Sequence, residues 1–146
     1  MIVIASDHAG VEYKRDLLEI IHAAGRQARD LGPADTASVD YPDFAHRVAS
    51  AVASGDAEMG VLICGTGIGM SLSANTHRGV RAALCHDAFT AEMARRHNDA
   101  NVLCIGARVT GISVAEQMMQ IFLDTAFEGG RHQRRVELIE VEREGS

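Results

Sequence analysis

Cys64 ends an apolar run and opens the stretch Cys64-Gly65-Thr66-Gly67-Ile68-Gly69, in which three glycines alternate with a thiol, a hydroxyl and an isoleucine. Glycines lack a Cβ, so backbone N–H groups can approach an anion closely. A helix expected to begin near Ile68 points its positive dipole end at the same place, an effect of about 0.3–1 kcal/mol when exposed. The same field favours a thiolate on Cys64, which suits a general base. The pattern fits equally a tight strand-to-helix turn around a buried cysteine. Two nucleotide motifs do not match. The spacing is G-x-G-x-G rather than G-x-G-x-x-G, and Gly69 is followed by Met70 and Ser71 instead of Lys and Ser/Thr.

Other residues offer complementary chemistry. Asp7 and His8 follow the first apolar run, either as an acid/base pair or as a helix cap with a solvated neighbour. His97 opens His97-Asn98-Asp99 after a helix-forming segment, where it is either catalytic or a C-terminal histidine favoured by the helix dipole. Arg131 and Arg135 are four apart, so a helix there would set both guanidinium groups on one face. Such a pair suits a phosphate dianion, and an exposed basic face has the same pattern.

These residues need elements to position them. Apolar runs at Met1–Ala5, Val61–Cys64, Val80–Leu84 and Val102–Ile105 read as strands, with a weaker one at Gln27–Gly32. Helical spacing runs through Val11–Ala24, from Phe44 to Val52, through Asp87–Arg96 and through Val114–Leu123. Strands alternating with helices predict an α/β fold: a Rossmann-like three-layer α/β/α sandwich on a mainly parallel five-stranded sheet. In such sheets ligands bind beyond the carboxyl ends of the strands, where Asp7, Cys64, Cys85 and Gly106 to Arg108 fall.

The 146 residues are expected to form a single domain, with 128–146 as a charged tail whose Val136, Ile139 and Val141 pack on the body or on another subunit. A formal net charge of -6 argues against nucleic-acid or anionic-membrane partners. No apolar stretch is long enough to span a bilayer, and the first residues do not read as a signal peptide, so a cytoplasmic protein is expected. Cys64, Cys85 and Cys104 leave one thiol unpaired in any disulfide scheme and form no C-x-x-C, which fits a reducing compartment. Cys85 and Cys104 read as packing residues, and no metal site is apparent.

Taken together, Asp7-His8-Ala9-Gly10, Tyr41-Pro42, the stretch Cys64 to Gly69, Ala74-Asn75, His97-Asn98-Asp99, Gly106-Ala107-Arg108 and Glu128-Gly129-Gly130-Arg131-His132 closely resemble ribose-5-phosphate isomerase type B, in that family's order. The resemblance covers about Ile2 to Glu142. It implies a metal-independent aldose–ketose isomerase without a cofactor. Cys64 would be the base moving a proton between C2 and C1. Thr66 and the N–H groups of Gly65, Gly67, Ile68 and Gly69 would hold the enediolate oxygen. His97 would open the sugar ring with help from Asp7, while His8, Asn98, Arg108, Arg131 and Arg135 contact sugar and phosphate.

Some relatives lack the cysteine and use a glutamate farther along the loop. Here Cys64 is present and Met70-Ser71-Leu72 follows, which fits the cysteine branch. A lysine common after the Ala-Asn pair is Thr76 here. The resemblance also implies a homodimer or homotetramer, with His97-like and Arg108-like residues crossing into the partner's site. Allose 6-phosphate, galactose 6-phosphate and erythrulose 4-phosphate are alternative substrates on this fold, and a non-catalytic sugar-phosphate binding module is an alternative of another class.

Overall fold

The computed structural model describes residues 1–142. Its elements are β1 (Ile2–Ser6), α1 (Val11–Ala23), β2 (Ala28–Asp30), α2 (Tyr41–Ser54), β3 (Met59–Cys64), α3 (Ile68–Ala74), β4 (Ala82–Leu84), α4 (Ala88–Arg96), β5 (Val102–Gly106), α5 (Ile112–Asp124) and α6 (Arg131–Glu137). All pairings are parallel, in the order β2-β1-β3-β5-β4. Chain order reverses direction at the boundary between β1 and β3, and that boundary is where a ligand crevice opens in such a sheet.

The two faces of the sheet bury different helices. Ile2, Ile4, Val61, Ile63, Leu103 and Ile105 turn toward α1, α4 and α5, meeting Leu17, Ile21, Ala91, Met118 and Phe122. The intervening Val3, Ala5, Leu62, Cys64, Val102 and Cys104 turn toward α2 and α3, meeting Phe44, Val48, Met70 and Ala74. This two-residue alternation within runs that are apolar throughout is what a sheet covered on both faces requires. The three central strands are buried throughout except at Met59, the first residue of β3, and the expected three-layer α/β/α sandwich is the observed one.

The differences from the expected boundaries lie at the two edges. β2 spans only Ala28–Asp30 and β4 only Ala82–Leu84, against Gln27–Gly32 and Val80–Leu84 from the pattern. Each has a neighbour on one side alone, so pairing ends as soon as that neighbour diverges. Beside β2, the buried Lys14 places its ammonium 2.9 Å from Asp30 and donates to the Pro33 carbonyl, tying α1 to the end of that strand. Burying a lysine is tolerated because both its charge and its donors are satisfied.

The tail forms α6, so Arg131 and Arg135 do share a helix. Leu138, Ile139 and Val141 stay largely exposed on the single chain. Among the described residues, no helix is long and apolar enough to cross a membrane.

Candidate active site

Register sets the site at the carboxyl edge of the three middle strands. Ser6 lies opposite Ile63 and Cys64 opposite Gly106, so the segments after β1, β3 and β5 emerge side by side. Hydrogen bonds continue the ladders past the strand ends. Asp7 N–H donates to the Ile63 carbonyl at 2.9 Å, Ala107 N–H to that of Cys64 at 2.8 Å, and Arg108 N–H to that of Gly65 at 3.0 Å. Asp7, the Cys64 loop and Arg108 are therefore held against one another by backbone.

Cys64 is buried, and its Sγ accepts the Gly67 N–H at 3.1 Å. That contact exists because Gly67 takes φ +80°, folding the loop back over the thiol. A Cβ at Gly67 would lie 2.5 Å from Leu84 Cδ1 and 3.0 Å from the Ile105 carbonyl carbon, so the turn has room only for glycine. At Gly69 a Cβ would sit 2.5 Å from the Tyr41 ring, so this glycine allows the aromatic to close on the loop.

The N–H groups of the loop are not all free for a ligand. Gly67 spends its own on the sulfur, and Ile68 donates to Thr66 Oγ1 at 3.2 Å. The expectation that every N–H from Gly65 to Gly69 faces an oxyanion is corrected here: two of them brace the loop. Thr66 is exposed, and its hydroxyl, accepting from Ile68, keeps its proton to donate outward.

Asp7 is a cap: one carboxylate oxygen accepts the N–H groups of Ala9 and Gly10, at 3.0 and 3.1 Å, starting a 3-10 turn at His8–Gly10. His8 accepts the Val39 N–H on Nδ1 at 3.2 Å, so in its neutral form the proton sits on Nε2. Arg108 lies over its own chain's Gly65, with Cδ 3.5 Å and a terminal nitrogen 3.6 Å from where a Cβ would be.

His97, Asn98, Arg131 and Arg135 are elsewhere. α4 runs back from the end of β4, so His97, its C-cap, lies where β5 begins. The opposite edge of the sheet is away by the length of β5, roughly 13 Å at ~3.3 Å per residue. Asp99 holds this turn: its carboxylate bonds Arg95 at 3.0 Å and Arg81 at 3.2 Å, and its φ is +47°. Glu128 N–H donates to the Arg96 carbonyl, bringing the tail alongside, and the His132 ring stacks on His97 with centroids 4.2 Å apart. Burial, then His97 and Arg131, push the His132 pKa down. Glu128 and His132 are neighbours of His97 beyond the residues expected at the site; their i,i+4 spacing within the Glu128 to His132 motif is the sequence signal for them.

Cys85 and Cys104 are buried packing thiols. Burial pushes Cys85 up to about 11 and Cys104 higher still. A cavity of about 700 Å³ lies away from Cys64, between the segment from Asn75 to Ala83, Asn98 and the tail at Ile139 to Val141.

Comparison with known proteins adds a decisive match, because a family profile described as Ribose/Galactose Isomerase covers residues 2–139. The chain belongs to the ribose/galactose isomerase family. A putative sugar phosphate isomerase of Bacillus subtilis, YwlF, is 48% identical over 92% of this chain and 91% of its own length. Ribose-5-phosphate isomerase B of Escherichia coli is 41% identical over 94% and 93%. The solved structure of ribose-5-phosphate isomerase B from Clostridium thermocellum superposes with a TM-score of 0.93 at 45% identity, covering 94% of this chain and 93% of that one. Family membership makes this chain an aldose–ketose isomerase, and the loop that carries Cys64 lies inside the matched region.

Proposed function

We propose that this isomerase interconverts ribose 5-phosphate and ribulose 5-phosphate, by ring opening and then proton transfer through an enediolate. The observation that carries the reading is Cys64: a thiol at the carboxyl edge of the sheet, oriented by the Gly67 N–H and flanked by Thr66, Arg108 and the Asp7-His8 turn. In the open-chain aldose, Cys64 takes the proton from C2 and the electron pair moves to the carbonyl oxygen O1; the same group returns a proton to C1 as the O2 hydroxyl proton passes to O1, which leaves the C2 carbonyl of the ketose. The Thr66 hydroxyl, with those loop N–H groups that are not used internally, stabilises the oxyanion while it exists. A positioned base of this kind contributes about 10²–10⁴ in rate.

Ring opening needs a group that takes the proton from the C1 hydroxyl while another proton reaches the ring oxygen. His97 is assigned that role, with the uncapped oxygen of Asp7 assisting. Because His97 and Cys64 sit at opposite edges of one sheet, a second copy supplies His97 and Asn98 together with Arg131 and Arg135. The phosphate is then met by His8 and Arg108 from one chain and by the α6 arginines from the other, in a homodimer or a homotetramer. Protein groups account for both steps without a metal or organic cofactor. Three unpaired cysteines suit work in the reducing cytoplasm.

The test is steady-state conversion of ribose 5-phosphate, allose 6-phosphate and erythrulose 4-phosphate by EDTA-treated protein, alongside Cys64→Ala. Ribose 5-phosphate is expected to give the highest kcat/KM, with the variant down by at least two orders of magnitude. A fully active Cys64→Ala would remove the base from the mechanism. Preference for another sugar would change the substrate and leave the chemistry in place.

A further inference from the structure

Two imidazoles and a carboxylate converge at the edge of the sheet opposite the Cys64 loop. His97 Nε2 and His132 Nε2 each lie 3.8 Å from Glu128 Oε2. The ligand atoms of the three residues all fall within 4.8 Å of one another. We propose that His97, Glu128 and His132 form a binding site for one divalent cation of the zinc type, with solvent completing its coordination.

The donor set selects the class of ion. Two imidazole nitrogens and one carboxylate oxygen suit zinc and its first-row neighbours, whereas calcium and magnesium want oxygen alone. Bonds of about 2.0–2.2 Å to a tetrahedral centre put ligand atoms roughly 3.3–3.6 Å apart. The two 3.8 Å separations are thus within a few tenths of an ångström of what ligation needs. The rings are stacked within 14° of parallel, so binding turns one of them toward the shared centre. His97, 38% exposed, has room to do so.

Surrounding groups hold the carboxylate in place. Arg96 engages Glu128 Oε1 at 3.1 Å while the Glu128 N–H bonds the Arg96 carbonyl, which leaves Oε2 facing the two rings. Such outer contacts orient ligands in metal sites. His97 also caps the carboxyl end of α4, where the helix dipole attracts a cation. Arg96, Arg131 and Arg135 oppose this with positive charge, so the affinity falls below that of the same three ligands in neutral surroundings. The other histidine pair, His46 and His77, has ring nitrogens 2.7 Å apart and, among the described residues, no third ligand.

An ion at this site takes the His97 nitrogen out of use and slows turnover of a cyclic sugar; that consequence rests on the proposed function, while the site itself does not. The experiment is titration of the EDTA-stripped full-length chain with Co²⁺, read by visible absorption, and with Zn²⁺, read by calorimetry. One ion per chain is expected, bound at least tenfold more weakly in Glu128→Gln and in His132→Gln and unchanged in His46→Ala, with circular dichroism checking that each variant is folded. The proposal is overturned by absence of saturable binding, by unchanged affinity in Glu128→Gln and His132→Gln, or by the near-ultraviolet band of a cobalt thiolate, which would put the ion on a cysteine. If cobalt binds as expected yet zinc leaves ribose 5-phosphate turnover untouched, the site stands and the assignment of ring opening to His97 falls.

Discussion

Gly67 donates its backbone N–H to the Cys64 sulfur across 3.1 Å, and it can do so only because its φ is +80°. The glycine thus shapes the turn and aims the thiol at once. Gly67→Ala places a Cβ 2.5 Å from Leu84 Cδ1 on top of an unfavourable backbone conformation. A stability loss of about 1–3 kcal/mol is expected, read as a lower urea midpoint, together with a fall in kcat larger than any change in KM. An unchanged midpoint would show that the loop finds another conformation without cost.

The separation of His97 from Cys64 within one chain predicts complementation. Cys64→Ala and His97→Ala are each expected to be inactive on ribose 5-phosphate. Denatured together in equal amounts and refolded, they should recover roughly a quarter of wild-type activity, since half of the dimers are mixed and each mixed dimer has one intact site. Recovery indistinguishable from zero, with mixed dimers shown by mass spectrometry, would mean that each site draws on a single chain.

Thiol chemistry should single out one cysteine. Burial pushes Cys85 up to about 11 and Cys104 beyond it, so native alkylation with iodoacetamide is expected at Cys64 alone and to be blocked by ribose 5-phosphate. Peptide mass spectrometry reads the result, and modification of Cys85 at a comparable rate would contradict it.

The same shifts carry an alkaline signature. Tyr13, whose hydroxyl donates to the Thr110 carbonyl at 2.7 Å, is pushed up from 10.0 to about 12, by burial first and then by Glu116. The unfolded chain releases the Cys85 proton near 9.0 and the Tyr13 proton near 10.0, while the folded chain keeps both for about two further pH units. Stability from these groups is therefore complete below pH 9 and lost as pH rises through the range from 9 to 12. Tyr13→Phe should flatten the upper part of that decline in urea unfolding followed against pH.

Asp99 joins Arg81 and Arg95 while holding φ +47°, so its two roles can be separated. Asp99→Asn keeps a side chain tolerant of the left-handed region and loses the charge, whereas Asp99→Ala loses both. Alanine is expected to cost about 1–3 kcal/mol and asparagine less, since alanine removes every side-chain acceptor that Arg81 and the buried Arg95 share, whereas asparagine keeps an amide oxygen there. Equal losses in thermal unfolding would assign the whole effect to charge.

Much of this protein follows from local pattern. Apolar runs alternating with helical stripes are enough for the parallel α/β sandwich, because a strand buried on both faces and a helix buried on one have different periods. Glycine spacing around Cys64 likewise marked a loop against which backbone or ligand must come close, since Gly67 and Gly69 leave no room for a Cβ. What pattern does not carry is which distant segments meet. The order β2-β1-β3-β5-β4, the ends of the edge strands, Arg108 over Gly65 and the tail on His97 all depend on pairings across tens of residues. The periodicity of a segment says how much of it is buried, not against what. Only the folded chain decided that Cys64 and His97 lie at opposite edges of one sheet, and that Glu128 and His132 close on His97 rather than on the thiol.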